Sequence, residues 1–196
     1  MAEYRRLLEP APVELLTPAE AGAGDLEVDE DGVTFLANAQ KKAREYAAAT
    51  GLPTLADDSG LTVAALGGRP GVQSARYGGP GLSPGDRNQR LLEEMEGKVD
   101  RGAAYVCVVA LARPGEPASK VYLGRCEGRI ARHPRGEGGF GYDPVFLLPD
   151  GRSMAELPDE EKDATSHRGL AVAEMLRQFD LGAWAAGAGA DSATLR

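Results

Sequence analysis

The segment from Phe35 to Tyr77 constrains the fold of this chain more than any other segment. Its first part repeats apolar or small residues at helical spacing, between Thr34, a favoured helix N-cap, and Gly51, a favoured C-terminal residue. A second apolar run follows and carries two adjacent carboxylates, Asp57 and Asp58. This order predicts a helix followed by a strand that brings negative charge to the edge of a sheet.

Asp57 and Asp58 reach one site only if the strand bends. Neighbouring side chains of a regular strand point to opposite faces, and Gly60 gives the backbone the freedom to bend, so we expect the strand to end near Asp57. Two carboxylates on one side suit Mg²⁺, which takes one or two carboxylates and adds water and phosphate oxygens. One carboxylate can then act as a general base on water. The alternative is that the pair only opens a turn, because Asp-Ser-Gly is a common turn sequence.

Length, composition and charge exclude several classes of protein. The chain has 196 residues, of which 42% are hydrophobic and 27% charged, which predicts one globular domain with a buried core. No apolar run approaches the roughly 20 residues that span a bilayer, and the start of the chain lacks the apolar core of a secretory signal. We therefore expect a cytoplasmic protein without a membrane partner. The formal net charge of −8 argues against nucleic acid as a partner, because a duplex requires clustered Lys and Arg.

The remaining elements are predicted from periodicity and from Gly and Pro positions. Cys107 and Cys126 lie in strand-like runs without metal-ligand spacing, so both are expected to be reduced core residues. We assign residues 1–184 to one domain and residues 185–196 to a low-complexity tail that is expected to be disordered. The predicted helices are 2–8, 35–50, 86–95 and 158–179, and the predicted strands are 13–16, 55–57, 103–111 and 120–130, the last two as an antiparallel pair.

A glycine-rich loop over residues 136–142 carries aromatic side chains. It lacks the spacing of known phosphate-binding loops. Phe140 can instead stack on a planar base, while Asp143 accepts hydrogen bonds from ring nitrogens or an amino group. The alternative is that Phe140 and Tyr142 are apolar plugs of the core.

Lys162 and Arg168 lie close enough in sequence to project from one helix start toward an anion. His167 can hydrogen-bond to a purine keto oxygen. The alternative is a solvated helix face. A serine nucleophile on a strand-to-helix turn is not visible in the sequence, which disfavours covalent hydrolysis.

Together and in this order, these clusters resemble the inosine triphosphatase family, the pyrophosphatases of non-standard purine nucleoside triphosphates. The resemblance covers approximately residues 4–179. A combination of ordered motifs is far more specific than any single one. The motifs are Leu55–Leu61, Pro70–Tyr77, Gly139–Pro144 and Glu161–Arg168.

The resemblance implies an α/β fold with an elongated mixed sheet and two lobes that flank a central cleft. It also implies a homodimer and Mg²⁺-dependent release of pyrophosphate from ITP, dITP or XTP. Asp58 would be the proton acceptor and a metal ligand, with Asp57 beside it in the metal site. The substrate-binding residues would be Ser59, the base-holding Phe140, Gly141, Tyr142 and Asp143, the phosphate-binding Lys162, and His167 and Arg168 at the keto group.

Two departures from the family pattern bear on activity. The family opens with a strand and a Thr/Ser-x-Asn-x-x-Lys motif that grips the phosphates, and this motif is missing here. By the spacing of the family, Glu3 would place that lysine immediately before Met1, so a start codon assigned too late would explain the absence. Ala37 stands where the family usually has a metal-binding glutamate. Asp163 replaces an asparagine, a milder change.

Two other functions remain open. One is a purine-nucleotide-binding protein of the same fold whose catalysis is impaired by these departures. The other is an α/β interaction module in which the motifs occur by chance.

Substitution Ala37→Glu tests the second departure. A carboxylate at this position would add a ligand for the hard cation, so pyrophosphate release from ITP should rise several-fold at limiting Mg²⁺. Ala37→Gln is the matched control, because it adds the same bulk without the charge. Equal activity of the glutamate variant and the parent would show that the metal does not use this position.

Overall fold

The computed structural model describes residues 2–116 and 119–187. Its four strands form one sheet in the order β1, β2, β3, β4, and each neighbouring pair is antiparallel. The α/β class predicted from the sequence is confirmed, and the sheet, expected to be mixed, is antiparallel throughout its described strands. The strands are β1 (Thr54–Val63), β2 (Gly102–Ala112), β3 (Lys120–Ile130) and β4 (Phe146–Leu147).

The helices are distributed along the whole described chain. They are α1 (Ala2–Leu7), α2 (Phe35–Thr50), α3 (Pro84–Glu94), α4 (Asp159–Thr165), α5 (His167–Gln178) and α6 (Leu181–Ala185). Short 3₁₀ helices cover Ala64–Leu66, Gly71–Arg76, Asp143–Val145 and Met154–Glu156. Among these described helices, none has the length and apolarity needed to cross a bilayer.

The two faces of the sheet are covered by different helices, because side chains of a strand alternate between faces. An alanine stripe of α2 packs on one face of β1 and β2, where small side chains allow close approach. Helix α5 packs on the other face. The first cluster contains Ala39, Ala43, Ala47, Val108, Ala110 and Ala112, and the second contains Cys107, Val109, Leu111, Ala171, Val172 and Met175.

A third cluster lies where α3, β4 and the 3₁₀ helices meet the sheet. It includes the fully buried Leu61, Leu91 and Phe146, together with Tyr105. Because β1 and β2 contribute to all three clusters, these strands connect the parts of the core. The single two-lobed domain implied by the resemblance stays a prediction.

Helix α5 approaches the sheet closely at Gly124 of β3. A Cβ atom at this position would lie 1.9 Å from the carbonyl oxygen of His167 and 2.5 Å from the amide nitrogen of Ala171. Such distances are far below van der Waals contact, so only glycine allows the present position of the α5 N-terminus. This contact places His167 and Arg168 against the sheet.

Local signals predicted several elements correctly. Thr34 caps α2 by accepting a hydrogen bond from the amide of Ala37 at 3.1 Å, and Gly51 ends it in the left-handed conformation at φ 68°. The antiparallel pairing of β2 and β3 is confirmed. Both cysteines are buried free thiols, as expected.

Other predictions were wrong. Residues 13–16 form no strand in the described structure, because a strand requires a hydrogen-bonding neighbour. Val13 and Leu15 instead pack against the second hydrophobic cluster, the one that contains α5 residues. The single helix expected over 158–179 is divided at Ser166, which caps α5 by accepting the amide of Gly169 at 3.1 Å. Of the tail predicted over 185–196, Ala185 ends α6, and residues 188–196 lie outside the described residues.

Candidate active site

Asp57 and Asp58 lie in the middle of β1 and point to opposite faces of the sheet. The strand continues without a bend to Val63, so both the predicted bend and the alternative of a turn are wrong. Gly60 allows close packing on the strand rather than the expected bend. A Cβ there would lie 2.4 Å from Ser74 Oγ, so glycine permits the 3₁₀ helix Gly71–Arg76 to pack on the strand.

Asp58 faces α2 and is 7% exposed. Its Oδ2 accepts a hydrogen bond from Asn38 Nδ2 at 2.9 Å, and its Oδ1 accepts the amide of Ser59 at 3.0 Å. Burial raises the pKa of Asp58 above its ordinary value, although the Asn38 amide and the Lys42 charge oppose this rise. A carboxylate whose pKa is raised toward neutrality is a better general base than an ordinary aspartate.

Asp57 faces α5 and is held by Arg168. The guanidinium donates from Nε to Asp57 Oδ2 at 3.1 Å and from Nη2 to Ser59 Oγ at 3.1 Å. Its Nη1 donates to Glu3 Oε2 at 3.3 Å. Burial lowers the pKa of Arg168, but the charges of Asp57 and Glu3 outweigh it and raise the pKa above the ordinary value. Arg168 therefore stays cationic and ties α5 to β1 and α1.

Asp143 is 2% exposed and accepts hydrogen bonds from three parts of the chain. Tyr105 Oη donates to its Oδ1 at 3.1 Å, while the amide of Phe140 and Nζ of Lys162 donate to its Oδ2 at 2.8 Å and 2.5 Å. The resemblance implied that Asp143 contacts the base. In this structure its oxygens are engaged by protein donors, so it positions Phe140 and Lys162.

Phe140 is half exposed, and two cations lie over its ring. Lys162 Nζ lies 4.5 Å and Arg168 Cζ lies 5.3 Å from the ring centroid. Cations at this distance are attracted by the negative face of an aromatic ring. The alternative that Phe140 is a core plug is therefore wrong, and the ring is available to a ligand.

Tyr142 and Gly141 form hydrogen bonds with other parts of the chain. Tyr142 is 4% exposed, and its hydroxyl donates to the carbonyl oxygen of Ser74 at 2.9 Å. Burial raises the pKa of Tyr142 well above its ordinary value. The carbonyl oxygen of Gly141 accepts a hydrogen bond from Asn88 Nδ2 at 3.0 Å. For Tyr142 the core-plug alternative is correct, so these two residues support the loop.

His167 is buried at the start of α5, 4% exposed. Its ring stacks on Tyr105 with centroids 4.6 Å apart and planes 9° apart. Its Nδ1 is buried and has no hydrogen-bond partner among the described residues. Burial, followed by the charges of Arg168 and Lys162, lowers the pKa of His167 to about 3, so the imidazole is neutral at physiological pH. Because Lys162 is also buried, the alternative of a solvated helix face is wrong.

A cavity of about 970 Å³ connects several of these residues. Its volume lies at the upper end of the range of small-molecule sites, about 300–1,000 Å³. Four predicted residues line it: Asp57, Phe140, Lys162 and Arg168. The other predicted residues lie outside its lining, and they are Asp58, Ser59, Gly141, Tyr142, Asp143 and His167.

Three residues of this region were not predicted from the sequence, and they are Asn38, Lys42 and Tyr105. Lys42 lines the cavity and donates to Glu30 Oε1 at 3.0 Å. Lys42 lies four residues after Asn38 on α2, so the two side chains share the helix face that packs toward the strand of Asp58. This spacing was a usable signal in the sequence. Tyr105 lies inside an apolar strand, and the sequence offers no signal that distinguishes it from its core neighbours.

Comparison with known proteins gives consistent results over almost the whole chain. Residues 1–178 match the Ham1 family. A dITP/XTP pyrophosphatase of Syntrophobacter fumaroxidans is 50% identical over 91% of this chain and 76% of that protein. A dITP/XTP pyrophosphatase of Nitrosomonas europaea is 47% identical over 91% of this chain and 88% of that protein.

Two solved structures share the fold. A HAM1 protein from Coxiella burnetii superposes with a TM-score of 0.82 at 45% identity, and the match covers 88% of each chain. The Ham1 protein of Staphylococcus aureus superposes with a TM-score of 0.79 at 37% identity and the same coverage.

His167→Gln should reduce the sensitivity of the fold to acid. In the unfolded chain His167 has its ordinary pKa of 6.5, whereas in the folded protein its pKa is about 3. At a pH between these two pKa values, the unfolded state therefore binds more protons than the folded state. Stability is therefore lost as the pH falls through this window. Between pH 7 and pH 4.5, urea denaturation should show a loss smaller by about 2 kcal/mol in the variant than in the parent.

His133→Gln is the matched control, because His133 is the other histidine and is exposed. It should lose as much stability as the parent. A His167→Gln variant with the acid sensitivity of the parent would contradict a buried neutral imidazole.

Proposed function

This chain belongs to the Ham1 family, and from that premise we propose that it hydrolyses non-standard purine nucleoside triphosphates to the monophosphate and pyrophosphate. The substrates are dITP, XTP and ITP, and the reaction removes them from the nucleotide pool. The observation that carries the proposal is that an exposed aromatic ring, Phe140, lies beside the cations Lys162 and Arg168 in the same cavity. A ring for the base and cations for phosphates are the complementary parts of a nucleotide site.

The chemistry of the side chains favours hypoxanthine and xanthine over adenine. Phe140 offers a face on which a purine can stack. Arg168 carries donors and no acceptor, so it pairs with a keto oxygen and leaves an adenine amino group without a partner. An unpaired polar group in a closed site costs enough binding energy to discriminate between substrates.

The cations near the cavity suit a triphosphate. A triphosphate carries about four negative charges, and hydrolysis at the α-phosphorus requires that charge on its oxygens be stabilised. Lys162 and Lys42 both line the cavity and both supply ammonium donors. The formal net charge of −8 makes such local cations necessary, because the protein as a whole repels an anion.

We assign the general base to Asp58. Its raised pKa supports this role, and Asn38 fixes the orientation of the carboxylate. Asp58 lies across the sheet from Asp57, but β1 is the edge strand of the described sheet. A triphosphate that lies along this edge can contact side chains from both faces, so Asp58 can orient a water while Lys162 binds phosphate.

Mg²⁺ is the cofactor that we propose. Within residues 2–116 and 119–187, no group of three or more His, Cys, Asp or Glu side chains is arranged to hold a metal. Mg²⁺ requires only one or two carboxylates, with substrate phosphates and water completing its shell, and there it neutralises phosphate oxygens. The oxygen donors of Asp58 fit this chemistry. Those of Asp57 fit it less well, because Arg168 holds Asp57 on the opposite face.

We further propose a homodimer that acts in the cytoplasm, where nucleoside triphosphates are used. The resemblance to the inosine triphosphatase family supports the dimer. The exposed apolar side chains of Val121 and Leu123 on β3 are compatible with a protein interface.

Pyrophosphate release from dITP, XTP and ITP, compared with dATP, tests the function. With Mg²⁺ present, kcat/KM for the three keto purines should exceed that for dATP by at least about 100-fold, because only they pair with Arg168. Equal turnover of dATP would contradict the proposed selectivity. Calorimetric binding of IMP without turnover of any triphosphate would instead indicate the catalytically impaired nucleotide-binding protein.

The isosteric pair Asp58→Asn and Asp57→Asn separates the roles of the two carboxylates. Loss of the general base should lower kcat of Asp58→Asn by about 10²- to 10⁴-fold. Asp57→Asn should mainly raise KM, because it removes the charge that holds Arg168. Steady-state kinetics of both variants with dITP measures this difference. The reverse pattern, with kcat lost in Asp57→Asn alone, would move the general base to Asp57.

A further inference from the structure

Tyr105 lies at the centre of the sheet, behind the residues that line the cavity. It belongs to β2, where Leu61 of β1 and Cys126 of β3 are its neighbours in register. Its side chain is 4% exposed. The ring meets Phe146 of the core, with centroids 4.7 Å apart, and His167 stacks on it at 4.6 Å. The ring therefore contacts both the core and the start of α5.

The hydroxyl of Tyr105 has one acceptor, Asp143 Oδ1, at 3.1 Å. Across the described parts of the chain, no other donor reaches this oxygen. The second oxygen of Asp143 accepts the amide of Phe140 and Nζ of Lys162. A carboxylate fixed at one oxygen cannot rotate freely about its terminal bond, so the Tyr105 hydrogen bond also fixes the position of the second oxygen.

Lys162 and His167 depend on this arrangement for different reasons. A lysine side chain has many rotamers, and Asp143 is the acceptor that selects the one in which Nζ lies over Phe140. His167 forms no hydrogen bond through Nδ1 in the described structure, so stacking on Tyr105 is the contact that sets the plane of its ring. One buried side chain thus adjoins two of the chain segments that bear the proposed substrate-binding residues, the one with Asp143 and the one with His167.

We propose that Tyr105 is a positioning residue for substrate binding, whose hydroxyl holds Asp143, Lys162 and Phe140 and whose ring orients His167. The inference rests on the proposed function, because it assigns substrate contacts to Phe140 and Lys162. Tyr105 itself does not line the cavity and acts only through its neighbours. Its effect should therefore fall on substrate affinity rather than on the chemical step.

Tyr105→Phe removes the hydroxyl and keeps the ring. KM for dITP should rise about fivefold or more, and the Kd of IMP measured by calorimetry should rise by a similar factor. The reason is that Asp143, the acceptor of Lys162, is no longer held in place by the hydroxyl. The kcat value should stay within about twofold, because the general base is untouched. Tyr105→Leu also removes the stacking on His167, which directly precedes Arg168 in α5, so it should in addition lower the preference for dITP over dATP.

Tyr122→Phe is the matched control. Tyr122 lies on the neighbouring strand β3 and packs against Phe179, and its ring does not line the cavity. Removal of the Tyr122 hydroxyl should change neither KM for dITP nor the Kd of IMP. Thermal unfolding of all variants measures purely structural damage.

The outcomes separate the two proposals. A Tyr105→Phe variant with a lowered Tm but with KM and Kd within twofold of the parent would overturn the positioning role and leave only a structural one. A parent protein that binds IMP but turns over no triphosphate would refute the proposed function, and the Kd of IMP would still decide the role of Tyr105. A parent that neither binds IMP nor turns over triphosphate would refute both.

Discussion

The buried ion pair between Lys162 and Asp143 is the interaction on which the rest of the site depends. The two groups are 2.5 Å apart and both are almost fully buried. A buried charge without its partner costs about 3–5 kcal/mol, so neither side chain can leave this position cheaply. The pair joins α4 to the loop before β4, and Tyr105 joins both to the centre of the sheet. Phe140 is exposed to ligand because Asp143, its neighbour in the same loop, is anchored inside.

The sheet divides the chemistry of the site between its two faces. On one face, Arg168 binds Asp57 and Ser59 and connects α5 to the edge strand. On the other face, Asn38 of α2 holds Asp58 in a buried position that raises the pKa of its carboxyl group. Adjacent aspartates thereby acquire different environments without any break in the strand. The alternation of side chains in β1 is the cause, and the helices on either face supply the different partners.

Sequence predicts the elements whose signals are local and misses the properties that depend on distant partners. The N-cap and C-terminal glycine of α2 are local, and so is the alternation of β3. By contrast, the length of β1 depends on pairing with β2, which the local sequence does not show. Gly60 suggested a bend in this strand, but it instead allows close packing. The loop around Phe140 contains two aromatic rings, and only the positions of Ser74 and Lys162 determine which is buried and which is exposed. Tyr105 gains its importance from Asp143 and His167, which are remote in sequence.

A crystal structure of the protein with IMP tests the arrangement most directly. We predict that the purine lies against the ring of Phe140 and that the phosphate lies within hydrogen-bonding distance of Lys162. Asp143 should continue to accept hydrogen bonds from Tyr105 and Lys162 and should not contact the base. A purine bound elsewhere, or an Asp143 side chain turned out of its buried position toward the base, would contradict the anchoring role of the buried ion pair.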